Sequence, residues 1–225
     1  VLLIAFIETG MIYMINRATI TLSVLLLSSC NAIEQAFTYS DAAKFLKGYA
    51  TGFPSDTISS EELANFDVSF ANIKIGRAPS STVVLAYNNQ GSHEWVSRDE
   101  VQVFTKNGYL YKTIGFSKDV TYESFDFKDE SMLNKTFITS ATFYDPDLLL
   151  VAVENTIKKS DVTITLPRPD GERKAIVYIH EYYVPSIKWK GTNKYFVDEA
   201  GIILRSEQKT HPHLPQFKVD FFYKY

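Results

Sequence analysis

One cysteine in 225 residues is the first scarcity of this chain. Without a second thiol, Cys30 can join neither an intramolecular disulfide framework nor a metal site that needs two or more cysteine ligands. Glycine is sparse as well. The closest pair is Gly48 and Gly52, so neither the G-x-G-x-x-G fingerprint nor a phosphate-binding loop can be written. The hydrolase elbow G-x-S-x-G is also missing, because the run Gly115-Phe116-Ser117-Lys118-Asp119 lacks its second glycine. Neither sign of charge dominates: 23 Lys+Arg stand against 26 Asp+Glu, a formal charge of −3 and a pI near 5.8. Such a chain has no footprint for nucleic acid, and nothing in it reads a nucleotide. No cofactor is expected.

What is present is globular in kind. Hydrophobic residues make up 45%, aromatic 14% and charged 22%, which excludes disorder, collagen and a multi-span membrane protein. The first thirty residues differ from the rest. Glu8 and Arg17 are the only charges before Cys30. From Met14 the order is a short basic region (Asn16, Arg17), an apolar stretch from Ala18, then Leu27-Ser28-Ser29-Cys30. That ending fits a lipobox at all four positions. A lipoprotein signal needs a compact apolar segment for the translocon, small residues for the peptidase, and a thiol to receive diacylglycerol. Residues 1–29 are therefore expected to be a signal peptide, with Cys30 the lipidated first residue of the mature chain. The competing readings are a spanning helix and an ordinary signal with an incidental cysteine. The run from Ala18 to Leu27 is about half of the roughly 20 residues a span requires. Residues 1–10 read as an over-extended start, with Met11 or Met14 the better beginnings. Asn31, rather than Asp, favours the outer membrane by analogy with bacterial sorting.

The stretch from 30 to 225 shows no linker and no internal repeat, so a single lipid-anchored domain is expected. Ile33 to Leu46 has helical spacing with Gly48 as its C-cap, and Ser59-Ser60-Glu61-Glu62 has the pattern of a capping box opening a short helix. From Val68 the hydrophobic period becomes two. Strands are expected at 68–75, 82–87, 94–97, 101–105, 109–116, 120–125, 137–143, 148–156, 162–166, 175–184, 194–197, 202–208 and 217–223. Asn107-Gly108 is a two-residue hairpin signal, and turns are expected at 88–91, 145–147, 169–171 and 198–201. The fold class that follows is mainly β: one curled antiparallel sheet, half-barrel-like, with one or two N-terminal helices.

Candidate chemistry is thin. The adjacent acids Glu61-Glu62, Asp99-Glu100, Asp129-Glu130 and Asp198-Glu199 read as solvated turn residues, since strand neighbours point to opposite faces. Carboxylates from distant strands could still meet across a cleft at glycosidase separations. His211-Pro212-His213 places two imidazoles on one side of an extended segment, but no third ligand follows, and a surface turn is the reading adopted. His180 lies on a strand face with Ile176, Tyr178, Tyr182 and Val184 and reads as a hydrogen-bonded core histidine. The run Phe221-Phe222-Tyr223 reads as a last strand apolar on both faces, covered outside by a helix or a partner.

Two stretches carry a resemblance. The first runs from Thr82-Val83-Val84-Leu85-Ala86-Tyr87 through Glu94-Trp95-Val96-Ser97 to Val103-Phe104-Thr105-Lys106-Asn107-Gly108-Tyr109-Leu110-Tyr111-Lys112-Thr113. The second is Tyr195-Phe196-Val197-Asp198 followed by Gly201-Ile202-Ile203-Leu204-Arg205-Ser206. Together with the lipobox they resemble the YjbF/GfcB family of group-four capsule and exopolysaccharide lipoproteins, with Ala86 standing where the family has glycine. The second hairpin also resembles LolA/LolB-like envelope carriers. The resemblance implies a half-barrel-like, periplasm-facing domain tethered to the outer membrane and serving polysaccharide assembly or export without catalysis. Its partners would be polysaccharide-export outer-membrane proteins or the glycan. It carries over lipidation at Cys30, and it carries over Trp95, Asn107, Gly108, Asp198 and Gly201 as motif positions of unknown role. Two other readings compete: a carrier or binding module for an acyl or glycan ligand, and a polysaccharide-modifying enzyme built from carboxylates on separate strands.

Overall fold

The period-two alternation that begins near Val68 becomes, in the computed structural model, a meander of antiparallel strands. The structure describes residues 47–48, 51–52 and 59–224. The helix expected at 33–46, the signal segment and Cys30 lie outside the described residues. A short helix α1 (Ser60–Asn65) follows Ser59, where the capping box places it. The strands are β1 (Phe70–Ile75), β2 (Ser81–Asn89), β3 (Ser92–Ser97), β4 (Gln102–Lys106), β5 (Tyr109–Ile114) and β6 (Val120–Tyr122). They continue as β7 (Thr136–Phe143), β8 (Leu148–Arg168), β9 (Gly171–Val184), β10 (Trp189–Val197), β11 (Ile203–Gln208) and β12 (Phe217–Phe222).

Each strand pairs with its neighbours in sequence, and β1 also pairs with β12 from Phe70↔Phe222 to Ile75↔Phe217. The sheet is therefore a closed barrel, one step beyond the half-barrel expected from sequence. Closure follows from two apolar strands of equal length meeting in full register, which leaves neither a free edge. The expected strands at 148–156 and 162–166 are one strand, β8. The polar run Lys158 to Asp161 that suggested a break is absorbed by a register shift between Lys159 and Thr163 while pairing with β9 continues. Asn107 and Gly108 both have positive φ, 48° and 83°, as a two-residue hairpin turn demands.

In a meander, successive turns alternate between the two ends of the barrel. One end carries the β4–β5, β6–β7, β8–β9 and β10–β11 connections; the other carries β5–β6, β7–β8, β9–β10 and β11–β12. About eight strands already make an interior just wide enough for side chains to fill, so this larger ring needs extra filling. The segment between β6 and β7 supplies it. Phe125 and Phe127 are buried, Phe127 stacking on Tyr195 at 4.1 Å and Phe125 lying 4.3 Å from Tyr109 between ring centroids. Asn134 N–H donates to the Ile157 carbonyl at 2.7 Å and fixes the segment against β8. From the other end the β11–β12 loop turns in: Tyr122 Oη donates to the Thr210 carbonyl and Tyr182 Oη to the Lys209 carbonyl, at 2.6 and 2.7 Å.

Candidate functional site

The motif positions separated by some ninety residues of chain come together at one end of the barrel. Gly108 abuts Ile203 so closely that a Cβ there would sit 2.6 Å from Ile203 Cγ1. Asn107 Nδ2 donates to Asp126 at 2.9 Å, and Lys128 Nζ donates to the Gly201 carbonyl at 3.0 Å. The plug segment thus ties the Asn107-Gly108 turn to the Asp198–Gly201 turn. Asp198 closes its own turn, its Oδ1 accepting from Ile202 N–H at 2.8 Å. Trp95 is buried, its Nε1 donating to Thr105 Oγ1 at 2.9 Å and its ring packed on Phe221. What the structure gives these residues to do is turn-making and packing.

A polar network crosses the interior. Asn155 Nδ2 donates to Thr139 Oγ1 and to the Val153 carbonyl, both at 2.9 Å, which leaves Asn155 Oδ1 as an acceptor for His180 Nε2 at 2.9 Å. Asn193 Oδ1 accepts from Lys209 N–H at 2.9 Å, so its Nδ2 faces His180 Nδ1 at 3.4 Å as a donor. These partners assign the neutral imidazole with its proton on Nε2. His180 is 2% exposed, and burial pushes its pKa down to about 3. The reading of His180 as a hydrogen-bonded core residue matches this geometry. Tyr195 Oη donates to Gln208 Oε1 at 3.2 Å, and Gln208 Nε2 donates to the Gly108 carbonyl at 2.8 Å, linking the network to the hairpin turn. Burial raises the Tyr109, Tyr122 and Tyr195 hydroxyls well above the usual phenol range. The cavity left beside His180, Asn155 and Tyr122 measures about 10 Å³, room for about one water.

The other sequence candidates separate. His211 is buried with its Nδ1 accepting from His213 N–H at 3.1 Å, which makes it a turn-forming residue of the loop rather than the surface residue expected. Among the described residues no cluster of three or more His, Cys, Asp or Glu is placed to hold a metal ion. Asp99-Glu100 and Asp198-Glu199 occupy turns, and Asp129 caps a 3-10 turn through Ser131 N–H at 2.8 Å.

Among the described residues, two concave regions outside the barrel stand out. One, of about 210 Å³, sits beside Arg168, whose side chain is 6% exposed. Below Arg205↔Asp220 the ladder between β11 and β12 stops, and the Arg168 guanidinium spans the gap, donating to the carbonyls of Leu204 and Phe221. It also lies 4.0 Å over the Phe222 ring, whose other neighbour is Phe70 at 4.8 Å. The outer face of β12 at Phe222 is thus covered by the Arg168 guanidinium and the Phe70 ring, with Leu63 of α1 lining the same hollow and Phe66 stacked on Phe70 at 4.1 Å. The second region is a groove of about 630 Å³ over β7 to β10. Cross-strand pairing places its outward residues in two adjacent ranks: Thr136, Thr156, Glu181 and Thr192, then Glu154, Tyr183 and Lys190. No sequence motif marks these residues. They become neighbours only through the register of four strands.

A family model described as group 4 capsule polysaccharide lipoprotein gfcB, YjbF matches residues 46–222. The chain belongs to the YjbF family. It is 23% identical over 200 residues to the uncharacterized lipoprotein YjbF of Escherichia coli K12, covering 86% of this chain and 91% of that one. The crystal structure of the hypothetical lipoprotein YmcC from Escherichia coli K12 superposes with a TM-score of 0.63 at 14% identity, covering 84% of this chain and 97% of that one. The YjbF-family match spans the strands, both motif hairpins and the plug segment.

Proposed function

We propose that this YjbF-family protein is a lipid-anchored, periplasm-facing component of the outer membrane that assists capsule or exopolysaccharide assembly or export by contact rather than by catalysis. The family match over residues 46–222 carries the reading. Two features of the barrel support it. The interior around His180 is filled by the plug segment and leaves about 10 Å³, too little there for the acyl chain of a carrier. The groove over β7 to β10 does bring together Glu154 and Glu181, but both are exposed on the same outer sheet face and Glu181 is paired with Lys158 at 2.7 Å. A glycosidase needs two carboxylates flanking the bond, one of them held protonated by its surroundings.

Two measurements test the proposal. Deletion of the gene in a producing strain should lower surface polysaccharide, restored by the wild-type gene; unchanged polysaccharide would overturn the functional reading. Mass spectrometry of the native protein should find a diacylated Cys30, and Cys30→Ser should move the protein from the outer-membrane fraction to the soluble periplasm. An unmodified Cys30 would overturn the anchoring.

A further inference from the structure

We propose that the groove on the outer face of β7 to β10 binds a neutral, hydroxyl-rich segment of a glycan chain; this rests on the polysaccharide reading above and gives it a site. The floor consists of two ranks set by strand pairing, Thr136–Thr156–Glu181–Thr192 and, beside it, Glu154–Tyr183–Lys190. At about 4.8 Å between strands, a rank of four spans about 14 Å, the length of about three pyranose rings. Its chemistry suits such rings. Tyr183, 37% exposed, offers a flat face to sugar C–H groups. The threonine hydroxyls and Glu154 offer donors and acceptors at the spacing of ring hydroxyls, Thr136 and Thr156 lying 3.1 Å apart. Glu181 is neutralised by Lys158 at 2.7 Å, and Glu154 shares its rank with Lys190, so the groove has little net charge. An anionic polymer finds no attraction there. A neutral one meets no repulsion.

The second, independent observation lies beneath the floor. Each of the four strands is tied on its inner face by a member of the buried network: Thr139 on β7, Asn155 on β8, His180 on β9 and Asn193 on β10. Asn155, His180 and Asn193 each adjoin a groove residue on their own strand, and Thr139 lies three residues from Thr136 on β7. A buried polar network is worth less than apolar packing unless it fixes geometry, and here it locks the register that builds the two ranks. Gly191 completes the arrangement. A Cβ at Gly191 would lie 2.1 Å from Tyr182 Oη, so only glycine lets β10 pass over the Tyr182 ring.

The test uses the full chain purified in detergent and native affinity electrophoresis through gels containing the source strain's purified extracellular polysaccharide. Wild type should be retarded, with retardation little changed by a tenfold rise in salt, because no ion pairing drives it. Tyr183→Ala and Glu154→Gln should each weaken retention about tenfold, the scale of one stacking or hydrogen-bonding contact. Tyr87→Ala, at a more exposed tyrosine on β2 outside the groove, should bind as wild type, and all three should melt with wild type. Retention of the groove variants at wild-type strength overturns the groove as the site, as does strongly salt-sensitive binding. Shortening of the polysaccharide during incubation would overturn binding without catalysis. Complementation separates the two proposals. If the deletion loses polysaccharide and the groove variants restore it fully, the groove reading fails while the functional reading stands. If the deletion has no phenotype, the functional reading fails.

Discussion

Acidification should unlock the barrel through one imidazole. In the folded chain His180 Nε2–H donates to Asn155, and His180 Nδ1 faces the Asn193 amide N–H, so a second ring proton would set donor against donor. Burial pushes the folded pKa to about 3, against 6.5 for the unfolded chain. Below pH 6.5 the unfolded chain therefore takes up a proton that the folded chain refuses. The contribution of His180 to stability is whole above pH 6.5 and drains away as pH falls toward 3. At about 1.4 kcal/mol per pH unit, roughly 3 kcal/mol should be lost by pH 4 from this residue alone. Titrating carboxylates add their own slope, so the comparison must be with His180→Leu. That variant leaves Asn155 Oδ1 and Asn193 Nδ2 unpaired and should be less stable at pH 7 by about 2–4 kcal/mol. Urea unfolding followed by tryptophan fluorescence from pH 7 to pH 4 should show the gap closing by about 3 kcal/mol. Parallel stability curves for the two proteins across that range would refute the assignment of a buried neutral imidazole.

Other substitutions test separate joints. Arg168→Met should cost about 2–4 kcal/mol, because the Leu204 and Phe221 carbonyls lose their donor, and Arg168→Lys should recover at most half, since one ammonium cannot span both. Urea midpoints check both, and a loss under about 0.5 kcal/mol would remove the clamp. Gly191→Ala should lower stability by about 3 kcal/mol or prevent folding, read as a drop in melting temperature. Trp95→Phe should cost about 1–3 kcal/mol through the lost Thr105 bond and the cavity left, measured the same way.

Most strands were legible because one face is wet and the other is core, which writes period two into the sequence. The exceptions have physical causes. Lys158 to Asp161 reads as a break, yet both faces of the hairpin are solvated there, so charges do not end the ladder. Closure was not legible, because Phe70 and Phe222 announce burial without naming each other as partners. The plug is illegible for a related reason: Phe125 and Phe127 alternate like strand residues, so Phe125 reads as the end of the strand before it. His180 was readable from its apolar neighbours on one face. The groove was not, since Thr136, Glu154, Tyr183 and Lys190 are ordinary outward residues until four registers align them. Arg168 beside the Pro169-Asp170-Gly171 turn carried no signal at all.

Joining β1 to β12 makes the ring all-or-nothing during synthesis. Phe70 waits for Phe222, the most distant pairing in the sheet, so the joint that seals the barrel is available only after every other strand has been made. Until then two six-residue edges, one on each side of the gap, stand open to other chains. A nick or frameshift that removes β12 therefore does not trim one strand from twelve. It exposes two, releases the Ser69–Lys224 contact that fastens the seam, and leaves Trp95 without Phe221. Completion of the ring is therefore a single event, the pairing of β12 with β1.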